Sequence, residues 1–178
     1  MKNLRSKIGN LIKGRLGFAD IYGNGDIELL HRFAVEHQFQ LIQVNFDNHM
    51  YFPEHYDKKS RKRLSEDLKK DGISLCFHGP TDIPLMNRHE KIRNAGLERL
   101  YEMIDMAIDM GSDYFIFHPG RQAFYSITTK KMFFIENRFP KEVSRLFSDS
   151  LKRILAYSGD KIKICLENTN FIAPLFLE

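Results

Sequence analysis

Three short apolar runs in this chain each end in a side chain able to bind a divalent cation: Leu75-Cys76-Phe77 before His78, Phe115-Ile116-Phe117 before His118, and Ile164-Cys165-Leu166 before Glu167. Two imidazoles and a carboxylate are good ligands for zinc, manganese or a similar ion. Alternate residues of a strand share a face, so Cys76 and His78, Ile116 and His118, and Cys165 and Glu167 would pair off on one side. Each terminal polar group is then expected to cap a buried apolar column. If the three runs are parallel strands, their carboxyl ends share the face where α/β proteins bind ligands. A single strand-end histidine is more often structural than a ligand. Three polar groups at matched ends favour convergence. His31, His37, His49, His55 and His89 fall on helices or loops and take no metal role, and Cys76 and Cys165 are expected to fill core volume one layer below the site.

The elements that would position these groups alternate along the chain. A short apolar run near 16–21 and a Gly23-Asn24-Gly25 turn precede Asp26, a good N-cap, after which Ile27, Leu30, Phe33 and Ala34 recur at helical spacing as far as His37. Residues 39–46 have the length and β-branched content of a strand. A helix over 57–71 has only Leu64 and Leu68 as its apolar seam among many lysines and arginines, so it should lie outermost. A strand over 73–77 is followed by a long helix, with Asn87 as its N-cap, Glu90 completing a capping box, and a stripe of Leu97, Leu100, Ile104, Ala107 and Ile108 that stops at Gly111. A fourth strand over 114–117, a helix opened by Pro140 and stopped by Gly159, and a last strand over 162–166 complete the pattern. Strands alternating with amphipathic helices predict a parallel sheet with helices outside it.

Length and composition set the bounds. The 178 residues suit one domain, and 43% hydrophobic with 28% charged residues is globular in balance. No stretch reaches the ~18 apolar residues of a membrane span. A net charge of +4 is too small to diagnose nucleic-acid binding, although it suits an anionic ligand. Two cysteines cannot staple a secreted scaffold, and the N-terminus intersperses Lys2, Arg5, Lys7, Lys13 and Arg15 among Leu4, Ile8, Leu11 and Ile12, unlike a secretory leader. A reducing, cytoplasmic setting is expected.

An ordered set of motifs makes a resemblance specific. His78-Gly79-Pro80, Asp82-Ile83-Pro84-Leu85, Lys91-Ile92-Arg93, Met106 to Gly111, Phe117-His118-Pro119-Gly120 and Leu166-Glu167-Asn168, spread over about residues 15–170, resemble the xylose-isomerase-like TIM-barrel superfamily. That group holds sugar and sugar-phosphate isomerases and epimerases together with endonuclease IV, the apurinic-site nuclease. The resemblance implies an α/β fold of TIM-barrel type, and the elements above make it a partial barrel of about five parallel strands with outer helices. Residues 1–178 would form this single domain, ending after its fifth strand. It implies that Glu167 binds the metal and serves as base, with His78 and His118 as its fellow ligands or as pocket hydrogen-bonders, and it places His118 beside Glu167 in catalysis. The implied reaction is metal-dependent proton transfer through an enediolate.

The departures carry weight too. Thr81 stands where the nuclease branch has an aromatic residue, and Gln43 or Asn45 where the superfamily often has a glutamate. A (β/α)₈ barrel takes about 250 residues, so three βα units, and with them the remaining ligands and a second carboxylate, have no counterpart after Glu167. Open sheet edges would then call for a covering partner chain, a self-associated oligomer, or further residues beyond this sequence. The expected substrate is a small carbohydrate or sugar phosphate, with endonuclease-IV-like cleavage at apurinic sites and a non-catalytic partial barrel as the alternatives. Candidate substrate contacts are His78, His49 and Tyr51 on the loop after the second strand, Arg121 beside His-Pro-Gly, and Asn168. The long connection over 121–139, rich in aromatics, is expected to act as a lid. The lysine and arginine cluster over 58–63 reads as a solvated helix face.

Overall fold

The computed structural model describes residues 16–20, 25–120 and 123–167. In chain order the elements are β1 (Gly17–Asp20), α1 (Ile27–His37), β2 (Leu41–Asn45), two 3₁₀ turns (His49–Tyr51 and Pro53–His55), α2 (Lys58–Lys70), β3 (Ser74–His78), α3 (Glu90–Asp109), β4 (Tyr114–Phe117), β5 (Ala123–Ser126), β6 (Lys131–Phe134), the short α4 (Ile135–Arg138), α5 (Pro140–Ser158) and β7 (Lys163–Leu166). Five strands form one sheet in the order β1-β2-β3-β4-β7, every neighbouring pair parallel. The expected α/β architecture is present, with β1 and β7 at the edges among the described residues.

Local chemistry sets the helix starts. The Asp26 carboxylate accepts the Leu29 N–H at 2.8 Å and Asp57 accepts that of Ser60 at 2.7 Å, each satisfying a backbone donor that the helix itself leaves open. Pro140 occupies the first turn of α5, and Gly111 follows α3 with φ +74°. The helices bury their apolar stripes against one face of the sheet. Ile42, Val44, Leu75, Phe77, Phe115 and Phe117 meet Leu64, Leu68, Leu97, Leu100, Ile104, Val143 and Phe147 there in one continuous core. On α1, Phe33 is 42% exposed although it belongs to the expected stripe, because it covers the sheet edge with Phe18 at 5.1 Å.

Three expectations need correction. Asn87 does not cap α3: its side chain accepts the His89 N–H at 2.8 Å in a local turn, His89 takes the cap position, and no side chain bonds there. The connection over 121–139 contains an antiparallel hairpin, β5 against β6, and then α4. Its pairs Phe124–Phe133 and Tyr125–Met132 put apolar residues on both sides, which erases the period-two signal of a strand. Finally, the column beneath the ligands is buried only at Cys76, whereas Ile116 and Cys165 are half-buried.

Candidate functional site

The ladder continues past the strand ends and sets the rim. Phe46 N–H donates to the His78 carbonyl at 2.9 Å, Gly79 N–H to Ile116 at 2.7 Å, and Glu167 N–H to Phe117 at 3.0 Å. Parallel register therefore brings the ends of β3, β4 and β7 side by side. His78, His118 and Glu167 each offer a ligand atom there, all within 4.8 Å of one another. Glu167 Oε2 lies 3.1 Å from His78 Nε2 and 3.6 Å from His118 Nε2, and the two rings are 4.9 Å apart between centroids. The site is graded in order: the His78 side chain is 6% exposed, that of His118 17%, and that of Glu167, on the edge strand, 50%.

The donor chemistry fits a cation. His78 Nδ1 is 2.8 Å from the Gly79 carbonyl, an acceptor that only an N–H can satisfy. In the neutral ring Nε2 then carries the lone pair, and it faces a second acceptor, Glu167 Oε2. Two acceptors at that distance repel unless a proton or a metal ion lies between them. The backbone carbonyl thus fixes the tautomer that presents Nε2 as a ligand. Cys76 sits below this set with its thiol pushed up to about 11, by burial first and by Cys165 second, so it stays a neutral thiol rather than a thiolate ligand.

The other expected residues fall elsewhere. Tyr51 does not line an open rim: it is fully buried, and its hydroxyl donates to the Asp20 carboxylate at the end of β1. Burial, and next that hydrogen bond, push its pKa far up. His49 is exposed on the turn after β2. Arg121 and Asn168 lie outside the described residues. Two polar residues stand out only in the structure. Asn45, 6% exposed, pairs in register with His78 and accepts the Asp47 N–H at 2.9 Å. Asp47 Oδ1 in turn accepts the Thr81 N–H at 2.8 Å and the Thr81 hydroxyl at 3.2 Å. An Asn-x-Asp sequence closing a strand is their signal, a turn in which the Asn side chain bonds the backbone two residues on.

Residues 32–175 match the family model described as a xylose isomerase-like TIM barrel. The chain belongs to that family. No curated protein matches its sequence. Solved structures similar to this xylose isomerase-like chain include a D-tagatose 3-epimerase-like protein at 21% identity and TM-score 0.66, covering 86% of this chain and 52% of that one. A D-psicose 3-epimerase crystallised with D-fructose follows at 13% and 0.68, with coverages of 87% and 52%. The IolI protein with a bound zinc atom matches at 16% and 0.61, with coverages of 84% and 50%. At such identities the likeness is one of fold. The chain spans about half the length of each of these structures. No helix among the described residues is long and apolar enough to cross a membrane.

Proposed function

We propose that this chain carries the cation-binding wall of a sugar isomerase or epimerase site, with His78, His118 and Glu167 as the metal ligands. The convergence of those three ligand atoms within 4.8 Å at the carboxyl rim of a parallel sheet is the observation that carries the proposal. A fold shared with sugar epimerases supports the substrate class. A divalent ion bound there would supply Lewis-acid polarisation of a sugar carbonyl and its neighbouring hydroxyl. The protein's own groups have distinct tasks. His78, buried and tied to Gly79, holds its place, whereas Glu167 has a carboxylate free enough to take up and return a proton at carbon. His118, whose Nε2 lies 3.6 Å from the same carboxylate oxygen, would share the ion with Glu167 and so hold that carboxylate in place for the proton transfer. A small carbohydrate or sugar phosphate is the substrate class.

The test uses the full chain with zinc, manganese or cobalt. Wild type is expected to retain about one divalent ion per chain and to exchange deuterium from heavy water into D-tagatose, D-fructose or D-psicose, while Glu167→Gln loses both properties. A wild type that retains no divalent ion refutes the metal assignment. A wild type that binds the ion and cleaves abasic-site DNA, but exchanges no sugar proton, replaces the isomerase assignment with the nuclease one.

A further inference from the structure

The least exposed ligand, His78, sits at the start of a turn that its own strand does not hold. His78-Gly79-Pro80-Thr81 leaves β3 at the rim, and the Gly79 carbonyl that fixes the imidazole belongs to that turn. Two bonds from neighbouring strands grip the turn: the Gly79 N–H donates to the Ile116 carbonyl of β4 at 2.7 Å, and Asp47, just past β2, holds Thr81. Asp47 Oδ1 receives both the backbone N–H and the hydroxyl of Thr81, at 2.8 and 3.2 Å. Asp47 is itself held, because its N–H donates to Asn45 Oδ1, and Asn45 is buried beside His78 in the register of β2 with β3. A continuous path thus runs from the end of β2 through Asp47 to Thr81 and back to Gly79, and the Phe46 N–H bonded to the His78 carbonyl closes it. The Gly79–Ile116 bond fixes the start of the turn, and the two bonds that Asp47 Oδ1 accepts from Thr81 fix its far end.

We infer that Asp47 is the positioning residue of the cation site. By fixing Thr81 it keeps the Gly79 carbonyl against His78 Nδ1, and so keeps Nε2 aimed at Glu167. The inference rests on the metal site proposed above. Asp47 neither touches the cation nor takes part in proton transfer; it acts through the turn. Disturbing the outer partner of a ligating histidine, here the Gly79 carbonyl, typically lowers metal affinity by 10–100-fold.

The test compares zinc affinity, by competition with a chromophoric chelator, in wild type, Asp47→Ala and Asp47→Asn. The alanine variant is expected to bind zinc at least tenfold more weakly. The asparagine variant, which keeps an acceptor oxygen for Thr81, is expected to recover to within about threefold of wild type. Imidazole ¹⁵N spectra add a readout that general destabilisation does not mimic: His78 in wild type carries its proton on Nδ1, and in Asp47→Ala it populates both tautomers. Equal zinc affinity in Asp47→Ala and wild type overturns the inference. So do equally weak alanine and asparagine variants, which would mean that charge acts rather than position. Should Asp47→Ala fail to fold, the wild-type spectrum decides, since zinc on His78 Nδ1 or a proton on its Nε2 refutes the assignment. A wild type that binds no zinc refutes the metal site itself, a result distinct from all of these.

Discussion

Gly120 offers a quantitative check on how the His118 turn is built. It follows His118-Pro119 with φ +74°, and a Cβ added there would lie 1.6 Å from the Ile83 carbonyl oxygen. Real Cβ atoms essentially never approach closer than 3.0 Å, so the two turns must part by at least about 1.4 Å in Gly120→Ala. The atom in the way is backbone, and the Ile83 carbonyl is held by the Leu85 N–H at 2.9 Å, so it cannot swing aside as a flexible side chain could. A left-handed conformation costs a non-glycine residue roughly 1–2 kcal/mol, and overpacking adds about 1–3 kcal/mol. The sum, near 3 kcal/mol, corresponds to a fall of roughly 6–12 °C in Tm for a chain of this size. The same displacement would carry His118 out of the cluster that Glu167 closes at 3.6 Å, so zinc affinity should fall in parallel. Gly72→Ala is the control: φ is +71° but nothing lies within 4 Å, so only the conformational cost applies. Thermal melts and zinc titrations of the two variants separate strain from collision. A Gly120→Ala protein that melts no lower than Gly72→Ala and binds zinc like wild type would refute the reasoning.

Two further outcomes follow from the same packing. Ser150 is fully buried on α5 and donates to the Leu85 carbonyl at 2.8 Å, so Ser150→Ala leaves that carbonyl short of a partner and should cost about 1–3 kcal/mol in urea unfolding; an unchanged midpoint would show that the bond contributes nothing. The Cys76 thiol, pushed up to about 11 in the folded chain, ionises near its ordinary value of about 8.5 when unfolded, so above that value the unfolded state loses its proton first and stability declines as pH rises towards 11. The alkaline decline should be smaller in Cys76→Ala, and identical pH slopes in the two proteins would count against a buried, neutral thiol.

The helices and strands were largely legible because their signals are local. Asp26 caps α1 as its position predicted, Pro140 and Gly159 bound α5, and the fourth strand coincides with Tyr114-Phe115-Ile116-Phe117. The misses also have local causes. The β5–β6 hairpin has apolar pairs on both sides, so no alternation betrays it. Asn87 had the residue type and spacing of a cap, but its carbonyl is taken by Arg93 at 2.7 Å and its side chain by His89, which starts the helix later. Tyr51 looked like part of a substrate wall because an aromatic hydroxyl on a loop reads the same whether it faces solvent or, as here, a buried carboxylate acceptor.

By itself the sequence determined which ligand types end which strands, since a residue's place at a strand terminus follows from the hydrophobic run before it. It also determined that those strands run parallel, because each pair of consecutive sheet strands is joined through a helix. Only the tertiary structure decided that the three ligand atoms meet within 4.8 Å, that Gly79 selects the His78 tautomer, and that Asp47 reaches Thr81 across 34 residues of chain. Those facts depend on register and twist between strands distant in sequence, and on single hydrogen bonds whose partners no local pattern encodes.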